Sequence, residues 1–206
     1  MHLLRLLLTV ALLGVPLAAT ARPEPPPGYN FATWNGGPRV RPGDSRSAVI
    51  LLDGIRRSET FRSVVERLEQ HDVIVYVQIQ PALKGRLSGG LTWLSATKRF
   101  RYVRVGISPE MRGDAAIATL GHELHHALEI ANEPSIVDEH TLSAHYKRVG
   151  INVRVHNNGW DTEAARVIGD DVRRDLASSS PRAVESVREF DPNTWYVLYR
   201  RARGVL

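Results

Sequence analysis

Between residues 46 and 70, Val49, Leu52, Ile55, Phe61, Val64, Val65 and Leu68 recur at helical spacing, with Arg and Glu between them. The pattern predicts helix, with Gly54 as the place for a break and His71-Asp72 as the end. Val73, Val75, Val77 and Ile79 then alternate with Ile74, Tyr76 and Gln78, a strand pattern rich in β-branched residues that Pro81 and Gly85 close. Leu91 to Leu94 and Tyr102 to Ile107 read as two more strands around a polar turn at Ser95 to Arg99. In the second of them Val103, Val105 and Ile107 share one face.

Asp114 can cap a long helix that runs to about Asn132 and stops at Pro134. A shorter helix fits Glu139 to Arg148, ended by Gly150. Ile151 to Val155 reads as a strand and Asn157-Asn158-Gly159 as a turn. A last clear helix starts at Asp161 or Thr162 and reaches about Ala177. Trp195, Tyr196, Leu198 and Tyr199 are expected to pack back on the domain. Helix, antiparallel strands, long helix and further helices in that order make an α+β layout.

The first 45 residues differ in kind. Residues 22–45 hold six prolines and four glycines, which predicts an extended segment without regular elements, with Phe31 and Trp34 lying on the domain. Arg5 followed by the apolar run Leu6 to Ala18 and the small residues of Ala19-Thr20-Ala21 has the three parts of a secretory signal peptide. The apolar run is shorter than the roughly 20 residues needed to span a bilayer. The expected division is 1–21 signal peptide, 22–45 extended segment and 46–206 folded domain, in a secreted or periplasmic protein with no membrane anchor after processing.

Composition narrows the chemistry. The chain has no cysteine, so a metal would have to be held by His, Asp, Glu or Tyr, and a thiol nucleophile is excluded. Loss of Arg5 with the leader would take the net charge from +5 to +4. The arginines are scattered in short pairs such as Arg56-Arg57 and Arg173-Arg174, without the basic stripe and interleaved aromatics of a nucleic-acid surface.

One segment carries chemistry: His122-Glu123-Leu124-His125-His126. Four residues are about 400° of helix, so His122 and His126 stack on one face and two imidazoles can reach one metal ion. Glu123 is offset by about 100°, beside a metal-bound water rather than on the metal. On the same helix Ile117, Leu120, Leu124 and Leu128 form an apolar stripe, and His122, His126, Glu129 and Glu133 cluster opposite. His125 lies off the ligand face and is read as a surface or substrate-contacting residue. His71 and His140 are read as surface or capping residues, and His145, His156 and Tyr146 as candidates to stabilise an oxyanion.

The motif resembles that of the zincin metallopeptidases. From about residue 46 to 176 the chain is similar to short secreted bacterial proteins of unassigned function that share a His-Glu-Leu-x-His-Ala-x-Glu helix, here residues 122–129. Glu129 stands where metzincins have glycine, and their third His is absent. The resemblance implies a small zincin-like domain, an antiparallel sheet packed on the motif helix, with residues 101–107 lining the substrate cleft. It implies Zn²⁺ held by His122, His126 and a downstream carboxylate, with Glu123 as the base that assists attack of the metal-bound water on a peptide bond. The substrate would be a peptide or protein. Gluzincins take the third ligand from a later helix, and Asp161 opens the later helix here, followed by Ala164 and Ala165 for close packing. Asp161 could equally be an N-cap, and Asp138, Glu139 and Glu163 stay open. Glu129 is the alternative on the motif helix itself, but it lies about 7.5 Å along the axis from the midpoint of the two histidines, beyond its reach to the metal. A catalytically inactive zincin-like metal-binding or interaction protein is the rival reading, against which the intact Glu123 speaks.

Intact-mass analysis of the exported protein should give an N-terminus at Arg22. A mature chain retaining residues 1–15 would contradict the leader assignment.

Overall fold

The computed structural model describes residues 38–81, 83, 87–152, 160–179 and 192–204. The expected leader (residues 1–21), most of the extended segment, the turn at 157–159, residues 153–155 and His156 lie outside the described residues.

The first element is β1 (Val40–Pro42), followed by α1 (Ser45–Arg57) and α2 (Glu59–Leu68). Asp44 starts α1 with a capping box, accepting from the Ser47 N–H while the Ser47 hydroxyl accepts from its own. The break falls at Ser58, not Gly54. Ser58 is extended, at φ −123°, and its side chain caps α2 by accepting from Phe61 N. Gly54 stays helical, and a β-carbon there would lie 2.9 Å from the Phe61 ring, so its smallness lets α2 fold back on α1.

Strands β2 (Val73–Ile79), β3 (Gly89–Ala96) and β4 (Arg101–Ile107) come next. With β1 they form a four-stranded sheet in the order β1-β2-β4-β3. The sheet is mixed rather than antiparallel: β1 and β4 run parallel to β2, and only β3 is antiparallel to β4. Burial explains the order. β2 and β4 are the most apolar strands and take the interior, whereas β3, with Gly89, Gly90, Thr92 and Ser95, tolerates an edge. The expected cleft strand, residues 101–107, is therefore paired on both sides, and among the described residues the edges are β1 and β3. β1 lies inside the segment read as irregular. Three residues are too few to show a period of two, and its Pro42 is acceptable because β1 is an edge strand.

The long helix α3 (Gly113–Asn132) follows, then α4 (Glu139–Val149), the short pair β5 (Ile151–Asn152) and β6 (Trp160–Asp161), α5 (Glu163–Ser178) and α6 (Pro192–Ala202). Asp114 does not cap α3. The N-cap is Arg112, Gly113 adopts φ +51°, and Asp114 pairs with Arg57 at 2.7 Å. Helices α1 and α3 lie on the sheet, and α5 covers α3 and α2. Trp195 and Tyr199 of α6 are buried in the same core. The whole is a mixed helix-and-sheet fold of the α+β kind, with six helices among the described residues. No helix among them is long and apolar enough to cross a membrane.

Helix α3 is held at its C-terminal end. Its last carbonyls have no helical partners. The buried Arg101 guanidinium, at the start of β4, donates to the carbonyls of Ile130 (2.7 Å), Ala131 (3.2 Å), Glu133 (2.8 Å) and Ile136 (3.2 Å). It also forms a two-point pair with Asp72, at 2.9 and 2.6 Å. Asp72 is desolvated, which raises its pKa, but Arg101 outweighs this and holds the carboxyl below its ordinary value. Arg101→Met should lower the unfolding free energy in urea by about 3–5 kcal/mol, since it takes the donor from the Ala131 and Ile136 carbonyls and breaks the pair with Asp72. A loss below about 1 kcal/mol would mean that the helix end is held by other contacts.

Candidate metal centre

Small residues decide how closely α5 approaches α3. A β-carbon on Gly169 would stand 3.4 Å from His122 Cβ, and one on Gly121 would stand 3.0 Å from Val172 Cγ2. Of the two alanines expected to allow this packing, Ala165 is buried and Ala164 is exposed. The closest approach comes from Gly169, one turn further on in α5, and from Gly121 on α3. With the helices this close, the start of α5 sits over the histidine face of α3.

Three side chains meet there. The His122 and His126 rings are 4.9 Å apart and nearly perpendicular. Asp161 Oδ1 lies 3.3 Å from His122 Nε2 and 3.5 Å from His126 Nε2. These are the atoms that can hold a metal ion, all within 4.8 Å of one another. Bonds of about 2.0–2.1 Å in a tetrahedral zinc site put neighbouring ligand atoms about 3.3–3.4 Å apart. The carboxylate-to-imidazole spacings match that edge, and two nitrogens with one oxygen are a donor set that zinc accepts.

Asp161 is free to turn inward because it is not the cap. Thr162 is the N-cap of α5, accepting from Ala165 N at 3.1 Å. β6 pairs Asp161 with Ile151; Arg166 donates to Asp161 Oδ2 at 2.8 Å, and Oδ1, which accepts the Thr162 N–H at 2.7 Å, faces the histidines. Asp138 caps α4, while Glu139 and Glu163 are exposed, so none of these three enters the cluster.

Glu129 does not face the ligand atoms. Its Oε2 accepts from His126 Nδ1 at 2.8 Å and from the Tyr146 hydroxyl at 3.0 Å. Its Oε1 accepts from the Thr162 hydroxyl at 2.6 Å. Tyr146, a candidate for oxyanion stabilisation, is thus turned to the back of His126. His145 meets Tyr146 edge-to-face with ring centres 5.4 Å apart, and Glu133 accepts from the Ser135 hydroxyl instead of joining the cluster. His125 is half-buried beside Glu129, at 3.8 Å, rather than on the surface.

Burial sets the electrostatics. It lowers the His122 pKa to about 4, with His126 adding to the effect. It would lower His126 too, but hydrogen bonds to Asp161 and Glu129 override it and push that ring up to about 10. Desolvation raises Asp161, but His126 and Arg166 outweigh it and keep the carboxyl well below its ordinary value. A cation entering here would replace the His126 proton, because imidazole binds metal in its neutral form.

Glu123 stands apart from the ligand atoms, only 7% exposed, and burial raises its pKa to about 7. It faces the sheet at the first residue of β3. A β-carbon on Gly89 would lie 3.0 Å from Glu123 Oε1 and 2.8 Å from Thr119 Cγ2, so only glycine leaves room for the carboxyl there. Ser108 N–H donates to Ser88 C=O at 2.9 Å, which sets the alternation of the β3–β4 ladder. Gly89 and Leu91 therefore turn their backbone groups to the outer edge, where no strand pairs among the described residues.

Thr162 was read only as a possible helix start, and Arg166, Gly169 and Gly89 went unnoticed in the sequence. The nearest signal was the position of Thr162 directly after Asp161 and three residues before a buried Ala. No family model matches the chain, and neither a curated protein nor a solved structure does.

Proposed function

We propose that the chain is a secreted or periplasmic zinc-dependent metallohydrolase of the zincin type, gluzincin-like in taking its third ligand from a later helix, and that it cleaves peptide bonds. The observation that carries this is the convergence of His122, His126 and Asp161, with Asp161 Oδ1 at zinc-like distance from both imidazoles and the Glu123 carboxyl one residue along the same helix.

The two imidazoles and Asp161 hold the ion. Zinc in that position supplies Lewis acidity, which lowers the pKa of water to about 7 and polarises a carbonyl. Glu123 is the general base, taking a proton from the attacking water and returning it to the leaving amine. Its burial favours both halves of that exchange, because a carboxyl that titrates near neutrality can hold or release a proton at pH 7. The edge of β3, which no strand pairs among the described residues, supports a peptide substrate. An extended chain laid along Gly89 and Leu91 would hydrogen-bond to their backbone and bring its carbonyl toward Glu123.

Metal analysis tests the reading. The purified protein should retain about one equivalent of zinc, and His126→Ala none. Glu123→Gln should keep the metal while peptide hydrolysis falls by several orders of magnitude. Asp161→Ala should weaken zinc more than Glu129→Ala does, as measured by chelator competition on folded protein. A metal-free parent protein, or a Glu123→Gln variant as active as the parent, would overturn the proposal.

A further inference from the structure

The Glu129 carboxylate joins three elements behind the ligand cluster, and its position is not explained by ligation. It receives three donors: His126 Nδ1 from α3, the Tyr146 hydroxyl from α4 and the Thr162 hydroxyl from the start of α5. A carboxylate so placed can only accept, so the ring nitrogen facing it must carry a hydrogen. That fixes Nδ1 as the protonated nitrogen of His126 and leaves Nε2 to face Asp161, 3.5 Å away. The other oxygen acts on the opposite ligand. Thr162 follows Asp161 directly and caps α5, so its 2.6 Å hydrogen bond to Glu129 Oε1 fixes where the Asp161 backbone stands relative to α3.

We propose that Glu129 is a positioning residue for the metal, a single carboxylate that sets the ring orientation of His126 and registers the Asp161 strand against the motif helix. The inference rests on the metal site proposed above. It concerns how tightly the ligands are prearranged, not which atoms bind. Carboxylates hydrogen-bonded to metal-ligating imidazoles contribute to affinity by fixing the tautomer and orientation. Here the same group also holds the third ligand's element, so removing its charge should loosen both sides of the site at once.

Glu129→Gln tests this with little change of volume. Zinc affinity by chelator competition should fall about 10–100-fold, with the melting temperature of the metal-free protein changed by only a few degrees. Thr162→Val, which breaks the bond to the Asp161 side and leaves His126 in place, should weaken zinc by a smaller factor. Glu163→Gln, an exposed acid on the same helix start, should leave affinity unchanged. The zinc-loaded parent should show a downfield His126 Nδ1–H proton by NMR, and Glu129→Gln should shift it upfield. An affinity within about threefold of the parent in Glu129→Gln would overturn the proposal while leaving the metal site standing. An affinity loss that only tracks the loss of melting temperature across the variants would reduce Glu129 to a structural hub. Absence of zinc binding in the parent would overturn the functional reading itself, and this inference with it.

Discussion

The Asp161 carboxylate, set between two imidazoles one helical turn apart, is the contact on which the rest of the arrangement depends. To bring a carboxylate from β6 to that place, α5 must lie almost against α3, and the glycines at 121 and 169 permit it. Thr162 must cap α5, or the carboxylate would be drawn to the helix N-terminus. Arg166 must hold the outer oxygen, so that the inner one faces the histidines. Each of these features is locally ordinary. Together they place a negative charge where it is desolvated and has two imidazoles for neighbours.

The sheet serves the same end from the other side. Arg101 ties the end of α3 to the start of β4, and β4 carries β3, whose Gly89 makes room for Glu123. The proposed base therefore sits at the sheet edge and the proposed metal ligands on the helix pair. Burying an unpaired carboxyl is costly, and natural folds seldom keep one without a use. The raised pKa of Glu123 is the mark of that cost, as expected where a group exchanges protons near pH 7.

The histidine face of α3 was legible because it depends only on helical periodicity and four-residue spacing, and α2, β2, β4, α4 and α5 were legible for the same local reason. Asp161 could be reached only by combining a reach argument against Glu129 with a likeness to proteins that take a ligand from a later helix. What the sequence concealed was set by non-local packing. Strand β1 is three residues long and exists because β2 offers it a parallel edge. The mixed order of the sheet follows from which strands are buried, which their succession along the chain does not reveal. The shared carboxylate at Glu129 joins residues 126, 146 and 162, a juxtaposition that no spacing rule predicts.

The central claim is that two imidazoles and the Asp161 carboxylate form one metal site. Anomalous scattering at the zinc edge, from crystals of the protein grown with zinc, tests it most directly. The account predicts a single strong peak in the α3–α5 crevice, about 2.0–2.2 Å from His122 Nε2, His126 Nε2 and an Asp161 oxygen. A peak ligated by Glu129 in place of Asp161, or no peak in that crevice, would contradict it.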